Sequence, residues 1–382
     1  MPLPPKKVAF VTGANGISGF AIVEHLVRQP ESEWSHILVS SRRPMAVPLT
    51  DPRITFVAID FLDPVPKIVQ ALSAYTEAKD ITHAFFTSYV HANDFKLLRE
   101  KNVPLFRNFL EVMDTMCPRL ERICLQTGGK NYGAHLGPAL NIPHREDQPR
   151  SDDPDNFYYP QEDDMFAVAK GKKWGWNVIR PNGVIGFTPH GSGISEVLSM
   201  AAYLLLVREL NESAAWPWSE FMWTGADDKS YAPAIGHMSV WATTEEHCKN
   251  EAFNCVNGDI IIWKYFWPVL AKHFGINAPE PVFDDPKRPK HFDMEAWAKD
   301  KRPVWERVVK KYGGKVEAFD WCSWDYLPWC MGRTWSSLSS MNKARKFGWT
   351  RFDDSQDTYL SAIRCFENAG VLPRIPAQVN GT

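Results

Sequence analysis

The chain has 382 residues and a formal net charge of −2, its 45 acidic side chains interspersed among 43 basic ones. That length buries a full α/β core in one large or two associated domains, and the mixed charge excludes the basic face of a nucleic-acid binder. No apolar run approaches the roughly 20 residues of a membrane helix, and the seven scattered cysteines contain no Cys-x-x-Cys pair. They read as reduced structural thiols of a cytoplasmic protein, with no metal site.

The opening MPLPPKKVAFVTG lacks the apolar stretch and small-residue cleavage site of a secretory signal. Its segment KVAFVT reads instead as a first strand that runs directly into a glycine turn. Glycines follow at 13, 16 and 19, with Asn15 and Ile17 between them, and the helical stretch ISGFAIVEHLVRQ comes next. A turn from strand to helix presents backbone N–H groups and a helix N-terminus to a diphosphate. Gly13 permits the tight turn, Gly16 lets phosphate approach the backbone, and Gly19 permits close helix–strand packing. The spacing is the G-x-x-G-x-x-G of extended short-chain reductases.

HILVSS, the second strand, ends in Ser40-Ser41-Arg42-Arg43 with no carboxylate. An NAD site usually places an acidic residue there for the ribose hydroxyls. Ser41, Arg42 and Arg43 would instead meet a 2′-phosphate, so the expected cofactor is NADP(H). ITFVAID follows, ending in Asp60, an acceptor for the adenine amino group, with Phe61 beside it. HAFFTS ends in Ser88, a further cofactor candidate. DFKLLREKNVPLFRNFLEVMDTM reads as a helix that Pro104 should interrupt or kink. RICLQT and WNVIRP are the fifth and sixth strands, and Gln126, Pro181 and Val184 near their ends complete the candidate cofactor set. Strands separated by helix-length crossovers imply a doubly wound (Rossmann) parallel sheet covered on both faces.

Many short-chain reductases carry a Tyr-x-x-x-Lys pair on one helix. In NFYYPQED, residues 156–163, the position four after Tyr158 is Glu162 and four after Tyr159 is Asp163. A tyrosine that does chemistry here must take its cation from elsewhere. Lys130, in LQTGGKNYG, lies just beyond the fifth strand, where doubly wound folds place their ligands. Glu162 sits one helical turn from Tyr158, on the same face, where it either orients neighbouring groups or caps and solvates the helix, the second being the favoured reading.

LQTGGKNYG, NFYYPQED and RPNGVIGFTP resemble the hallmark segments of the progesterone 5β-reductase/iridoid synthase-like family, atypical extended short-chain reductases whose catalytic lysine comes from a strand-end loop. EAFNCVNGDIIIWKYFWPVLAKHFG, PVWERVV and SMNKARKFGW extend the resemblance over nearly the whole chain. It implies that Lys130 and Tyr158 are catalytic, that both also touch the cofactor, and that Tyr159 is a packing neighbour. It further implies NADPH-dependent 1,4-reduction of an enone or enal, through an enolate held by Tyr158 and Lys130. This chain reads Pro181-Asn182-Gly183 where the family commonly has Pro-Gly-Asn. Ser337 stands where relatives often place a bulky aromatic, which suggests a different, roomier pocket for a specialised metabolite.

After about residue 186 the texture changes: all but one of the sixteen tryptophans lie after residue 170, and proline-rich segments such as INAPEPVFDDPKRPK break the alternation. Residues 1–186 are expected to form mainly the nucleotide-binding domain, and 187–382 mainly a smaller, mostly helical substrate-binding cap. A segment at about 230–260 should return to the core. The tryptophans read as packing residues more than ligand contacts, and the tail RIPAQVNGT as frayed. Two further functions stay open: a non-redox isomerase, dehydratase or cyclase on the same scaffold, and an NADP-sensing regulatory protein. A homodimer is also left open.

Overall fold

The computed structural model describes residues 6–45, 49–92, 94–138, 141–188, 190–191, 195–289 and 291–375. The part of the expected frayed tail at 376–382 lies outside the described residues. In chain order the strands are β1 (Lys7–Thr12), β2 (Trp34–Ser41), β3 (Ile54–Ala58), β4 (His83–Phe86), β5 (Arg122–Gln126), β6 (Gly175–Pro181), β7 (Gly183–Ile185), β8 (Ala226–Asp227), β9 (Lys229–Tyr231), β10 (Glu251–Cys255) and β11 (Ile261–Ile262). Seven of them form one sheet in the order β10-β6-β5-β4-β1-β2-β3, and every pairing in it is parallel. All six strands read from the sequence are present, and β10 adds a seventh at the edge beside β6.

The strands are apolar on both faces, as a sheet covered on two sides requires. Phe10, Leu38, Ile123, Leu125 and Val178 pack on one face, under α2 (Val65–Ser73), α3 (Phe95–Met116) and α4 (Tyr158–Ala169). Ala9, Val11, Ile37, Val39, Cys124 and Ile179, their alternate neighbours, pack on the other with α1 (Ile17–Val27) and the helix Ala232–Thr244. α3 runs unbroken for 22 residues through Pro104, contrary to the expected interruption. Val103, Leu105, Phe106 and Phe109 bury one side of it, while Pro104 sits on the exposed flank. The Glu100 carbonyl that proline leaves without an N–H partner therefore faces water, and packing holds the helix together.

The second half centres on α5 (Glu196–Leu210), with Trp216, Trp263, Trp267 and Trp305 fully buried around it. Most tryptophans are core residues, as expected; Trp329 is an exception, 45% exposed and beside the main cleft. All seven cysteines are free thiols. Among the described residues no helix is long and apolar enough to cross a membrane.

Candidate active site

From β1 the chain winds outward to β2 and β3, then returns to β4 on the other side of β1. Such a reversal opens a crevice at the carboxyl ends of the strands, and the glycine turn lies in it. Gly13 has φ +65°, and a Cβ there would come within 2.7 Å of the Thr87 carbonyl oxygen beyond β4. A Cβ on Gly19 would overlap the Gly13 carbonyl, so this residue alone allows α1 to start so close to β1. Asn15 Nδ2 lies 2.9 Å from Ser41 Oγ and 3.0 Å from the Arg43 carbonyl. The turn is thereby pinned to the loop after β2, where Arg42 and Arg43 are exposed and, among the described residues, have no carboxylate partner.

Every candidate cofactor residue and both candidate catalytic residues line one cleft of about 840 Å³. Three polar atoms of that cleft, Ser18 Oγ, Gln126 Oε1 and Thr127 Oγ1, are buried without a hydrogen-bond partner. Buried polar groups rarely stay unpaired, and their orphaned state beside an open helix N-terminus fits a bound dinucleotide. The unpaired arginines fit its 2′-phosphate.

Lys130 and Tyr158 meet the same cleft from two elements. β5 ends at Gln126, and a single 3-10 turn, Gly129–Tyr132, carries the lysine. Tyr158 is the first residue of α4. Asn156 joins them: its Nδ2 donates to the Lys130 carbonyl at 2.7 Å, and its Oδ1 accepts from the Tyr158 amide at 3.2 Å. A Cβ on Gly128 would sit 3.4 Å from the Tyr158 hydroxyl, so the ring packs directly against the loop that follows the strand end. Burial, then the nearby Tyr89, pushes the Tyr158 hydroxyl far above its ordinary value, so it stays a proton donor. Burial lowers the Lys130 ammonium, opposed by Cys330 and Asp153. Its Nζ stands 5.1 Å from the centre of the Phe95 ring, and among the described residues no carboxylate pairs with it.

Tyr159 differs in kind. Its hydroxyl donates to the Asn131 carbonyl at 2.8 Å and accepts from the Ser151 amide at 3.0 Å, so it is already engaged in holding the lysine turn.

At Glu162 the favoured sequence reading gives way to the other. The residue is no solvated cap but 2% exposed. Its Oε1 accepts from Asn131 Nδ2 at 2.9 Å and from Arg180 Nη2 at 2.9 Å, while Oε2 accepts from Arg150 Nη2 at 3.2 Å. Arg180 in turn reaches the Tyr132 hydroxyl at 3.3 Å, and that hydroxyl donates to Asn254 Oδ1 at 2.6 Å. A readable signal was Arg180 itself, because an arginine inside the core strand WNVIRP needs a buried anion. Asn182 was also underread. Its Nδ2 lies 2.5 Å from both Asp228 Oδ1 and the Ser337 carbonyl, clasping the β6–β7 link to the cap. Ser337 is buried and lines the cleft.

A family model, the PRISE-like Rossmann-fold domain, matches residues 9–325. The chain belongs to the PRISE-like family. Membership makes it an oxidoreductase that works with NADP(H). Within the family it is 40% identical to the short chain dehydrogenase gsfE of Penicillium aethiopicum, over 96% of this chain and 100% of that one. It is 34% identical to the (S)-8-oxocitronellyl enol synthase ISY1 of Nepeta racemosa, over 96% and 94%. The 3-oxo-Delta(4,5)-steroid 5-beta-reductase of Arabidopsis thaliana is 30% identical over 96% and 94%. Among solved structures, the UDP-glucose 4-epimerase of Thermotoga maritima superposes with a TM-score of 0.64 at 12% identity, over 94% of this chain and 99% of that one. That likeness concerns the fold alone.

Proposed function

We propose that this PRISE-like protein reduces the C=C bond of an enone or enal, with Tyr158 and Lys130 stabilising the enolate. The observation that carries the reading is the Asn156 tether, which joins a partly buried tyrosine to an unpaired lysine on the wall of one cleft. Gly13, Gly16, Gly19, Ser41, Arg42 and Arg43 would hold the dinucleotide, with Asp60 and Phe61 at the adenine and Ser88, Gln126, Pro181 and Val184 along the remainder. When bound, NADPH supplies the hydride that forms the new C–H bond at the substrate's β-carbon.

Tyr158 then donates a hydrogen bond to the carbonyl oxygen, where negative charge grows as the π electrons shift toward it. Its raised pKa keeps it a donor rather than a source of a fully transferred proton. Lys130 adds a positive charge whose field is little screened in a partly desolvated wall. A proton added at the α-carbon completes the reduction. The names of the enol synthase and the 5-beta-reductase among the relatives support this chemistry.

The test mixes the protein with NADPH and a panel of small and bulky enones and enals, following absorbance and product mass. NADPH oxidation with a product two hydrogens heavier, deuterium from labelled NADPH appearing at the β-carbon, is the expected result. An isomeric or dehydrated product formed without NADPH consumption would replace this reading with the non-redox one.

A further inference from the structure

The wall that the second half contributes to the cleft is ionic. Glu196, Asp227, Lys229 and Arg333 all line it, together with Tyr326 and Cys330. Lys229 Nζ lies 2.9 Å from Glu196 Oε1, 3.1 Å from Glu196 Oε2 and 2.8 Å from Asp227 Oδ2. Arg333 Nη2 donates to Asp227 Oδ1 at 2.9 Å, and its Nε to the Cys330 carbonyl at 2.9 Å. The Tyr359 hydroxyl donates to Glu196, and Trp263 Nε1 to Asp227 at 3.3 Å. The side chains of Glu196 and Asp227 are 1% exposed, that of Lys229 2% and that of Arg333 11%.

Two cations are thus balanced against two carboxylates. Burying such ions costs several kcal/mol each, and a well-packed apolar wall would hold the fold as well or better. Stability does not account for placing them on a substrate cleft. The cluster also leaves little to spare. Lys229 has its contacts on the two carboxylates, and both oxygens of each carboxylate accept. Arg333 Nη1 is the group of the four that makes no hydrogen bond among the described residues. Tyr326 lines the same stretch of the cleft, its ring stacked on Trp329 at 5.8 Å.

We propose that Arg333 and Tyr326 form a subsite for a neutral oxygen substituent of the substrate, a ketone, hydroxyl or alkoxy group remote from the reacting C=C bond. The preferred substrates are therefore oxygenated enones rather than hydrocarbon-like ones. Because the ion pairs cancel, the wall offers a fixed donor and a hydroxyl but no net positive charge, which disfavours a carboxylate or phosphate. Glu196, Asp227 and Lys229 are positioning residues: Asp227, itself fixed by Lys229 and through it by Glu196, holds the guanidinium still, so recognition requires little reorganisation. This inference rests on the enone reading above for the identity of the substrate.

The test uses matched pairs of bicyclic and steroidal enones, each with and without a ketone or hydroxyl on the ring farthest from the C=C. Affinity for the NADP⁺-loaded protein is measured by calorimetry, and kcat/KM with NADPH alongside. The oxygenated member should bind and react at least about tenfold better, the worth of one or two hydrogen bonds to a charged or hydroxyl group. Arg333→Lys keeps the charge facing Asp227 but loses Nη1, and Tyr326→Phe loses only the hydroxyl. Both should weaken the oxygenated member more than its deoxy partner, shrinking the preference toward unity.

Equal treatment of the pair by the unmodified protein overturns the subsite, as does failure of both members of every pair to bind. Equal losses for both members in the two variants would also overturn it, leaving the wall a purely structural feature. Preferential binding of the oxygenated member without NADPH oxidation would uphold the subsite and defeat the reduction. Reduction of both members at the same rate would do the reverse.

Discussion

Glu162 and Asn131 are joined by a 2.9 Å hydrogen bond that ties the helix of Tyr158 to the residue after Lys130. The same carboxylate faces Arg180 on β6, so three elements of the site converge on one buried charge. Short-chain reductases with both groups on one helix fix their spacing through that helix. Here the lysine and tyrosine sit on separate elements, and the buried carboxylate adds to the coupling that Asn156 makes between them.

Glu162→Gln should therefore be costly. It keeps a similar shape but leaves Arg180 without its anion, and breaking a buried pair destabilises by roughly 3–5 kcal/mol. Denaturant unfolding should show that loss, and kcat should fall more than NADPH affinity as the lysine turn loosens. A change within about 0.5 kcal/mol, the range of an exposed ion pair, would mean that the network is idle.

The two tyrosines should separate cleanly. Tyr158→Phe removes a hydroxyl that faces the cleft, and turnover should drop by about 10²–10³, with cofactor binding retained. Tyr159→Phe strips the bonds to Ser151 and Asn131, so about 1–3 kcal/mol of stability should go first, with a smaller loss of rate. Lys130→Ala should depress turnover as well, less than additively with Tyr158→Phe if both act on one oxyanion. Steady-state kinetics and unfolding of the same variants decide it; an inactive Tyr159→Phe beside a normal Tyr158→Phe would reverse the assignment.

What was legible in the chain was mostly local. Gly13 and Gly19 declare a turn because a side chain there cannot fit, and strands such as KVAFVT and RICLQT are apolar on both faces because the sheet is covered twice. Pro104 does not interrupt its helix, because propensity speaks of an isolated helix, whereas Phe106 and Phe109 hold this one to the sheet. Glu162 was misread for a related reason: helical spacing shows which face a residue shares with Tyr158, but not that Arg180 waits there. The ion-paired wall of Glu196, Asp227, Lys229 and Arg333 joins segments more than a hundred residues apart, and no local pattern announces it.

NADPH should bind more tightly than NADH, by about 1–3 kcal/mol from charge-assisted hydrogen bonds to the 2′-phosphate. Replacing Arg42 and Arg43 together by alanine should erase most of that difference. Asn15→Ala, which frees the arginine loop from the glycine turn, should weaken NADPH more than NADH. Titration of each cofactor by fluorescence gives the comparison, and equal affinities in the unmodified protein would refute the assignment of this loop.

Lys130 sets the last prediction, because one property governs both rate and stability. Burial lowers its ammonium from the ordinary 10.5, whereas Tyr158 is pushed the other way. Deprotonation removes the positive charge that the proposed enolate requires, so kcat/KM should fall with rising pH along a limb centred below 10.5 and assigned to Lys130. Lys130→Arg, whose charge does not titrate in this range, should lose that limb even if its rate is lower throughout. The stability sign follows from the same shift. With the folded pKa depressed, the unfolded chain binds the proton more tightly between the folded value and 10.5, so stability rises with pH through that window. Below it the buried ammonium is a standing cost, and Lys130→Met should be more stable than the unmodified protein at pH 7 while losing turnover. Urea unfolding at pH 7 and a kcat/KM profile are the measurements. A Met variant less stable than the parent, or an alkaline limb unchanged in Lys130→Arg, would show that this lysine is not the strained cation on which the proposed chemistry depends.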